Sequence, residues 1–159
     1  MTVKPFAIGV GVLVFLCAAS PARAQAAGPR FINPPGLARS AGYTHVVVSS
    51  DGRTAYIAGQ VAYDGTGAIV GAGNFARQAE QVYANLRRAL ESVGASVEDV
   101  MKTTTYITDI RNLPALRDAR ARHFAAAHPS ANTLLQVQSL ARPELMLEVE
   151  AVVDLGRGR

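Results

Sequence analysis

Cysteine is almost missing from this 159-residue chain: Cys17 is the one example, inside an apolar run near the N-terminus. After residue 24 there is none, which excludes disulfides, thiolate nucleophiles and thiolate-bound metals from that part of the chain. Tryptophan is absent and only ten residues are Phe or Tyr, so a core has to be built mainly from Val, Leu, Ile and Ala. Lysine is scarce too. Lys4 and Lys102 are the two present, and the other fourteen cations are arginines. Arginine grips carboxylates and phosphates through a planar fork, so anionic ligands stay open, although solvated surface is the ordinary place for such side chains. No apolar run approaches the roughly 20 residues of a membrane-spanning helix; residues 6–19 form the longest, with 14.

That run is placed tellingly. Residues 1–4 are short and basic, 6–19 are apolar, and Ala22-Arg23-Ala24 puts small residues at alternate positions ahead of Gln25. The order is that of a secretory signal peptide. Residues 1–24 are therefore expected to be removed, leaving an exported protein, periplasmic or secreted, with no membrane attachment after cleavage. An uncleaved anchor is the competing reading. Removing 1–24 takes away Lys4 and Arg23 and no acid, so fourteen basic residues face twelve acidic ones, a net charge of +2. That balance is too even for nucleic-acid binding, which draws on a basic stripe that releases counterions. About 135 residues suffice for one core without covalent staples.

Residues 25–42 are rich in Ala, Gly and Pro and read as an irregular lead-in, with Pro34-Pro35 enforcing extended or turn geometry. The domain proper is expected from 43 to 159. Two antiparallel strands, about 44–50 and 54–61, flank Asp51-Gly52, a dipeptide suited to the left-handed angles of a hairpin turn. After a glycine-rich connection, Asn74 can cap a long helix whose apolar residues, Phe75, Ala79, Val82, Tyr83, Leu86, Leu90 and Val93, recur at steps of three and four; Gly94 closes it. Ser96 and Asp99 have capping-box spacing. The β-branched stretch 100–108 predicts a third strand, and Pro114 opens a second helix over about 113–127. Strands over 133–140 and 145–153 complete the chain. The fold class is α+β, in the order ββαβαββ, with both helices on one face of the sheet.

Several motifs invite chemistry and fail on spacing. The glycines between 65 and 73 miss the dinucleotide pattern by one residue, and no Gly-Lys-Ser/Thr follows, so a flexible connection is the better reading. His123 and His128 are five apart, on different sides of a helix, and with His45 they lack the pairing of a metal-binding helix. No metal or cofactor site is expected. Glu148 and Glu150 are different. Alternation puts both on the strand face opposite Leu147 and Val149, where one carboxylate raises the pKa of the other, as acid–base chemistry requires. A solvated or subunit-facing pair is the alternative. The same face carries Met146 and Val152, which suggests covering by another subunit.

Over residues 33–154 the chain resembles the RidA (YjgF) family. The resemblance is carried by Asn33-Pro34-Pro35, Gly42-Tyr43-Thr44-His45, Ala58-Gly59-Gln60-Val61, the helix from Gln78 to Leu90 with Asn85-Leu86, Gly94-Ala95-Ser96, Asp99-Val100, Lys102-Thr103-Thr104, Tyr106-Ile107-Thr108-Asp109 and Leu147-Glu148-Val149-Glu150-Ala151. It implies a chorismate-mutase-like fold assembled as a homotrimer, with small-molecule ligands in clefts between subunits. It also implies hydrolysis of 2-imino or enamine acids to 2-keto acids and ammonia, without metal or cofactor. Carried over by position, Tyr43 would wall the pocket, the Gly59 N–H would bind the substrate carboxylate, and Glu148 would position water or relay protons. Thr133 and the Leu134 backbone would line the same cleft.

The family's carboxylate-binding arginine falls on Asn132, and the segment between Pro129 and Thr133 is one residue longer than in active members. Ser130, Ala131 and Asn132 are all uncharged, so no local realignment restores the cation. Ala58 also stands where many members have serine. Losing the partner of a desolvated carboxylate costs about 2–5 kcal/mol, and each 1.4 kcal/mol is about tenfold in binding. Arg117, in the second helix, or Arg142 could supply a substitute charge, although solvated surface is the better reading for both. Two functions remain: an imine/enamine hydrolase of altered substrate scope, and a non-catalytic trimeric binding protein of the same fold.

Overall fold

The computed structural model of the chain describes residues 28–124 and 127–156. The signal peptide and its expected cleavage before Gln25 lie outside the described residues, as do residues 125–126 and the C-terminal tail 157–159; the second helix, expected to about 127, ends at His123, where Phe124 leaves helical geometry. Six strands form one mixed sheet: β1 (Arg30–Ile32), β2 (Val46–Val48), β3 (Thr54–Gln60), β4 (Val100–Ile107), β5 (Ala131–Gln136) and β6 (Leu147–Asp154). Their spatial order is β1-β2-β3-β6-β4-β5. All pairings are antiparallel except β4 with β5. The last strand in sequence is thus inserted between β3 and β4, at the centre of the sheet.

The hairpin between β2 and β3 turns as expected: the Gly52 N–H donates to Ser49 O at 2.9 Å, and Gly52 takes φ +73°, where a side chain would be strained. Helix α1 (Phe75–Glu91) starts at Asn74, whose Oδ1 accepts from Arg77 N at 3.1 Å. It ends with Ala95 N bonded to Leu90 O, Gly94 having turned left-handed at φ +70°. Helix α2 (Leu113–His123) carries Pro114 in its first turn. The expected capping pair is also made, with the Ser96 N–H and Oγ–H both donating to Asp99 Oδ2.

Val46, Val48, Ile57, Ile107 and the β6 residues Leu147, Val149 and Val153 are buried against Val82, Leu86 and Leu90 of α1. Both helices lie on this face, α1 against β3 and β6, and α2 against α1.

Two readings need correction. The lead-in 25–42 is not wholly irregular: Arg30–Ile32 pairs with Val46–Val48, Phe31 opposite Val47, and extends the sheet at its edge. This adds a sixth strand ahead of the expected order. A three-residue strand has too little periodicity to show in the sequence. The strand expected over 133–140 runs instead from Ala131 to Gln136, because parallel pairing with Lys102–Ile107 fixes both its ends.

Candidate active site

At one end of the sheet, where β3 finishes and β6 begins, a cleft of about 540 Å³ opens, a volume suited to a small molecule. The loop 38–43, the end of β3 and the following segment to Gly67 line it, with Ala141 and Glu148. Small residues, Ala38, Ala41, Ala58 and Gly59, make the room. Tyr43 and Tyr63 supply phenols, and Glu148 and Arg39 supply the two charges.

The centre of the cleft follows from a break in the ladder. Ile57 pairs with Ala151, yet Gln60 pairs with Val149. Two residues of β3, Ala58 and Gly59, therefore oppose the single Glu150. Such a bulge bends the strand and takes backbone groups out of regular pairing. Against this bulge lies the Glu148 carboxylate. A Cβ added to Gly59 would fall 1.8 Å from Glu148 Oε1 and 2.6 Å from its carboxyl carbon. Glycine is required at 59 because the acid occupies the space of a side chain. Burial lifts the Glu148 carboxyl above its ordinary pKa, and the neighbouring charge of Glu150 adds to the rise. Burial likewise raises the pKa of the Tyr43 phenol, with contributions from Tyr63 and Glu148. The two glutamates of β6 part company beyond that: Glu150 lines a second, smaller depression with Tyr56, Lys102 and Thr104.

The walls are held by buried polar groups. His45 Nε2–H donates to Ala38 O at 2.8 Å, and Gln60 Nε2 lies 3.3 Å from His45 Nδ1 while also donating to Ala58 O. Asn33 Oδ1 accepts from His45 N and Ser40 Oγ, so Asn33 and His45 together fasten the loop carrying Tyr43. The Tyr43 ring meets the His45 ring edge-on at 5.2 Å. From α1, Asn85 Nδ2 donates to Val61 O and Tyr63 O, and Gln78 binds Glu144 O and Met146 N. These amides bind backbone groups of the two segments, and so tie both to α1 beside the cleft.

Tyr43, Gly59 and Glu148 are thus brought together within one chain. The remaining candidates are not. Thr133 accepts from Lys102 Nζ on the sheet face away from the helices, on edge strand β5, two strands removed from β6. Asn132 lies on the other face: its Nδ2 donates to Thr103 Oγ1 at 2.8 Å and Thr105 Oγ1 at 3.1 Å, both buried threonines. Leu134 shares that face by alternation. Arg117 is exposed on α2, on the helical side of the sheet, and does not line the cleft. Arg142 is ion-paired with Glu144 at 3.3 Å. The cation that the cleft does contain, Arg39, escaped the sequence reading, as did Tyr63. No motif marks either. Among the described residues no group of three or more His, Cys, Asp or Glu side chains is placed to hold a metal ion.

Sheet, one-sided helices and a half-buried carboxylate set against a glycine bulge define a small α+β protein with a small-molecule cleft. The sequence profile of the Endoribonuclease L-PSP family matches residues 35–155, and the chain belongs to that family. It is 33% identical over 102 residues to a RutC family protein of Pyrococcus horikoshii, covering 64% of this chain and 79% of that one. It is 30% identical over 104 residues to the human 2-iminobutanoate/2-iminopropanoate deaminase, covering 65% and 74% respectively. Among solved structures, RidA from the Antarctic bacterium Psychrobacter superposes with a TM-score of 0.70 at 26% identity, covering 79% of this chain and 98% of that one. A Rid-family protein of Yersinia pestis, YyfB, shares 39% identity at a TM-score of 0.61, covering 80% and 99%.

Proposed function

We propose that the protein hydrolyses small 2-imino or enamine acids to 2-keto acids and ammonia. The observation that carries this reading is the Glu148 carboxyl, lifted in pKa by burial and packed on the Gly59 bulge inside a cleft walled by Tyr43. A carboxyl with a raised pKa keeps its proton to higher pH than an exposed acid, which suits it to act as acid as well as base. In its protonated form Glu148 delivers a proton to the enamine carbon or imine nitrogen. As the carboxylate it then takes a proton from the water that attacks C2. Glu148 returns that proton to the amino nitrogen and takes the remaining hydroxyl proton as the C2–N bond breaks, so ammonia leaves, the oxygen of water becomes the keto oxygen and Glu148 is protonated again. The human relative's deaminase name and membership of the family support the same chemistry.

A homotrimer belongs to this reading. The sheet face opposite the helices carries Tyr56 at 54% exposure, with Val152 and Glu150 beside it. In this reading edge strand β5 of a neighbour, with Thr133 and the Leu134 backbone, completes the cleft. Export through the N-terminal signal is part of the proposal too, and the natural substrate is then one met outside the cytoplasm. A binding protein without turnover is the second reading. What favours it is Asn132, which stands in the expected arginine's place and is engaged by Thr103 and Thr105.

An amino-acid oxidase would generate 2-imino acids in the presence of semicarbazide, which traps whatever escapes hydrolysis. The purified protein is expected to suppress semicarbazone formation, and Glu148→Gln to lose that effect by about 100-fold or more. Equal trapping with and without the native protein would overturn the hydrolase reading.

A further inference from the structure

With Asn132 turned to the helical face and Arg142 paired to Glu144, the carboxylate of an imino acid needs another partner. We infer that Arg39 is that partner: it anchors the anionic end of the ligand in the cleft, opposite the acid–base work of Glu148. This rests on the proposed function for the choice of imino acids, while the anchor itself serves any small 2-oxo or 2-imino carboxylate.

Three observations converge on Arg39. It is the one cationic residue lining the cleft among the described residues, and Glu148 is the one acid. Its guanidinium has no ion pair with any described carboxylate, unlike those of Arg111, Arg122 and Arg142. Its backbone is clamped on both sides. Ala38 O accepts from the buried His45 ring, and Ser40 Oγ donates to Asn33, which also takes the His45 N–H. Clamping the backbone removes its share of the ordering cost on binding, which leaves only the exposed Arg39 side chain to be fixed by the ligand. Arginine suits the task, since its planar fork can take both carboxylate oxygens at once. Placed on the same chain as Glu148, Gly59 and Tyr43, it also makes charge recognition independent of a neighbour's β5. A ligand held this way has its carboxylate at the loop and its C2 nitrogen towards Glu148, which fixes a small, singly charged acid as the substrate class.

The test uses Arg39→Gln and Arg39→Lys in the protein that begins at Gln25, read by imine hydrolysis and by calorimetric binding of 2-oxobutanoate. Arg39→Gln should raise KM roughly tenfold or more and weaken 2-oxobutanoate equally, with kcat little changed. Arg39→Lys should recover part of both, and 2-oxobutanamide, which lacks the charge, should bind alike to the native and Arg39→Gln proteins. If the native protein shows no turnover yet binds 2-oxobutanoate in an Arg39-dependent way, the anchor stands and the hydrolase reading falls. Unchanged KM and unchanged 2-oxobutanoate binding in Arg39→Gln, or no binding by the native protein, would overturn the anchor.

Discussion

Gly59 and Glu148 share a single volume, and most of what is particular to the site follows. Gly59→Ala would force the carboxylate off the bulge, since the added Cβ would come within 1.8 Å of Oε1. A displacement of about 1 Å at a catalytic group can cost about 100-fold. That loss is the expected drop in kcat, checked by steady-state hydrolysis alongside circular dichroism to establish an intact fold. The burial that tunes Glu148 also makes it a liability. Its folded pKa lies above the ordinary 4.5, so the folded state holds the proton more tightly than the unfolded one. Between the two values unfolding releases a proton, and stability falls as pH rises through that window and stays lower above it. Glu148→Gln, which cannot ionise, should therefore melt higher than the native protein at pH 7, with the gap closing in acid. Thermal melts at several pH values test this; a native protein more stable at pH 7 than the variant would refute it.

At the scale of elements, α1 does more than fill the core. Its apolar face packs on β3 and β6, while Gln78 and Asn85 reach past that face to bind loop carbonyls beside the cleft. A third contact ties α1 to α2: Glu80 accepts from the Arg122 guanidinium and pairs with His123 Nε2. The Glu80 carboxyl lies below its ordinary pKa, first through the His123 bond and then through Arg122. Here the sign is reversed. The stabilisation is present above the unfolded pKa and is lost as pH falls through the lowered folded value. The carboxylate is partly exposed and solvent-screened, so Glu80→Gln should cost only about 0.5–1 kcal/mol at pH 7. Urea denaturation at pH 7 and at acid pH would show that cost shrinking at the lower value.

For the whole molecule, the two faces of the sheet have opposite fates. One is closed by both helices. The other leaves Tyr56 and Leu135 substantially exposed, at 54% and 41%, with a groove of about 290 Å³ between β2 and β4. If three copies close over this face as proposed, Tyr56→Asp places three charges in the contact and should yield monomers by light scattering at micromolar concentration, with the helical signal retained. A native protein already monomeric under those conditions would sink the trimer. Export makes a separate prediction: material recovered from the periplasm or medium should begin at Gln25 by intact mass, and a retained Met1 would contradict it.

Helices α1 and α2 and the central strands were legible in the sequence because each has a repeating apolar period and local punctuation: Asn74 and Gly94 for α1, Pro114 for α2, Asp51-Gly52 for the hairpin. Alternation alone placed Glu148 on the face away from the core, and the family's order of short motifs singled out Tyr43 and Gly59. What the sequence could not show is anything decided by pairing between distant strands. The short β1 exists only because β2 accepts it, and β5 takes its bounds from β4. The insertion of β6 between β3 and β4 produces the bulge that seats Glu148. Asn132 was counted as a site residue from its place in the chain, but a parallel register with β4 sends its side chain to Thr103 and Thr105. Arg39 lies in a proline- and glycine-rich lead-in with no periodicity to mark it. Only folding, through Asn33 and His45, brings it to the cleft. Local period and capping are written along the chain, whereas register and the meeting of remote side chains are set by which strands pair.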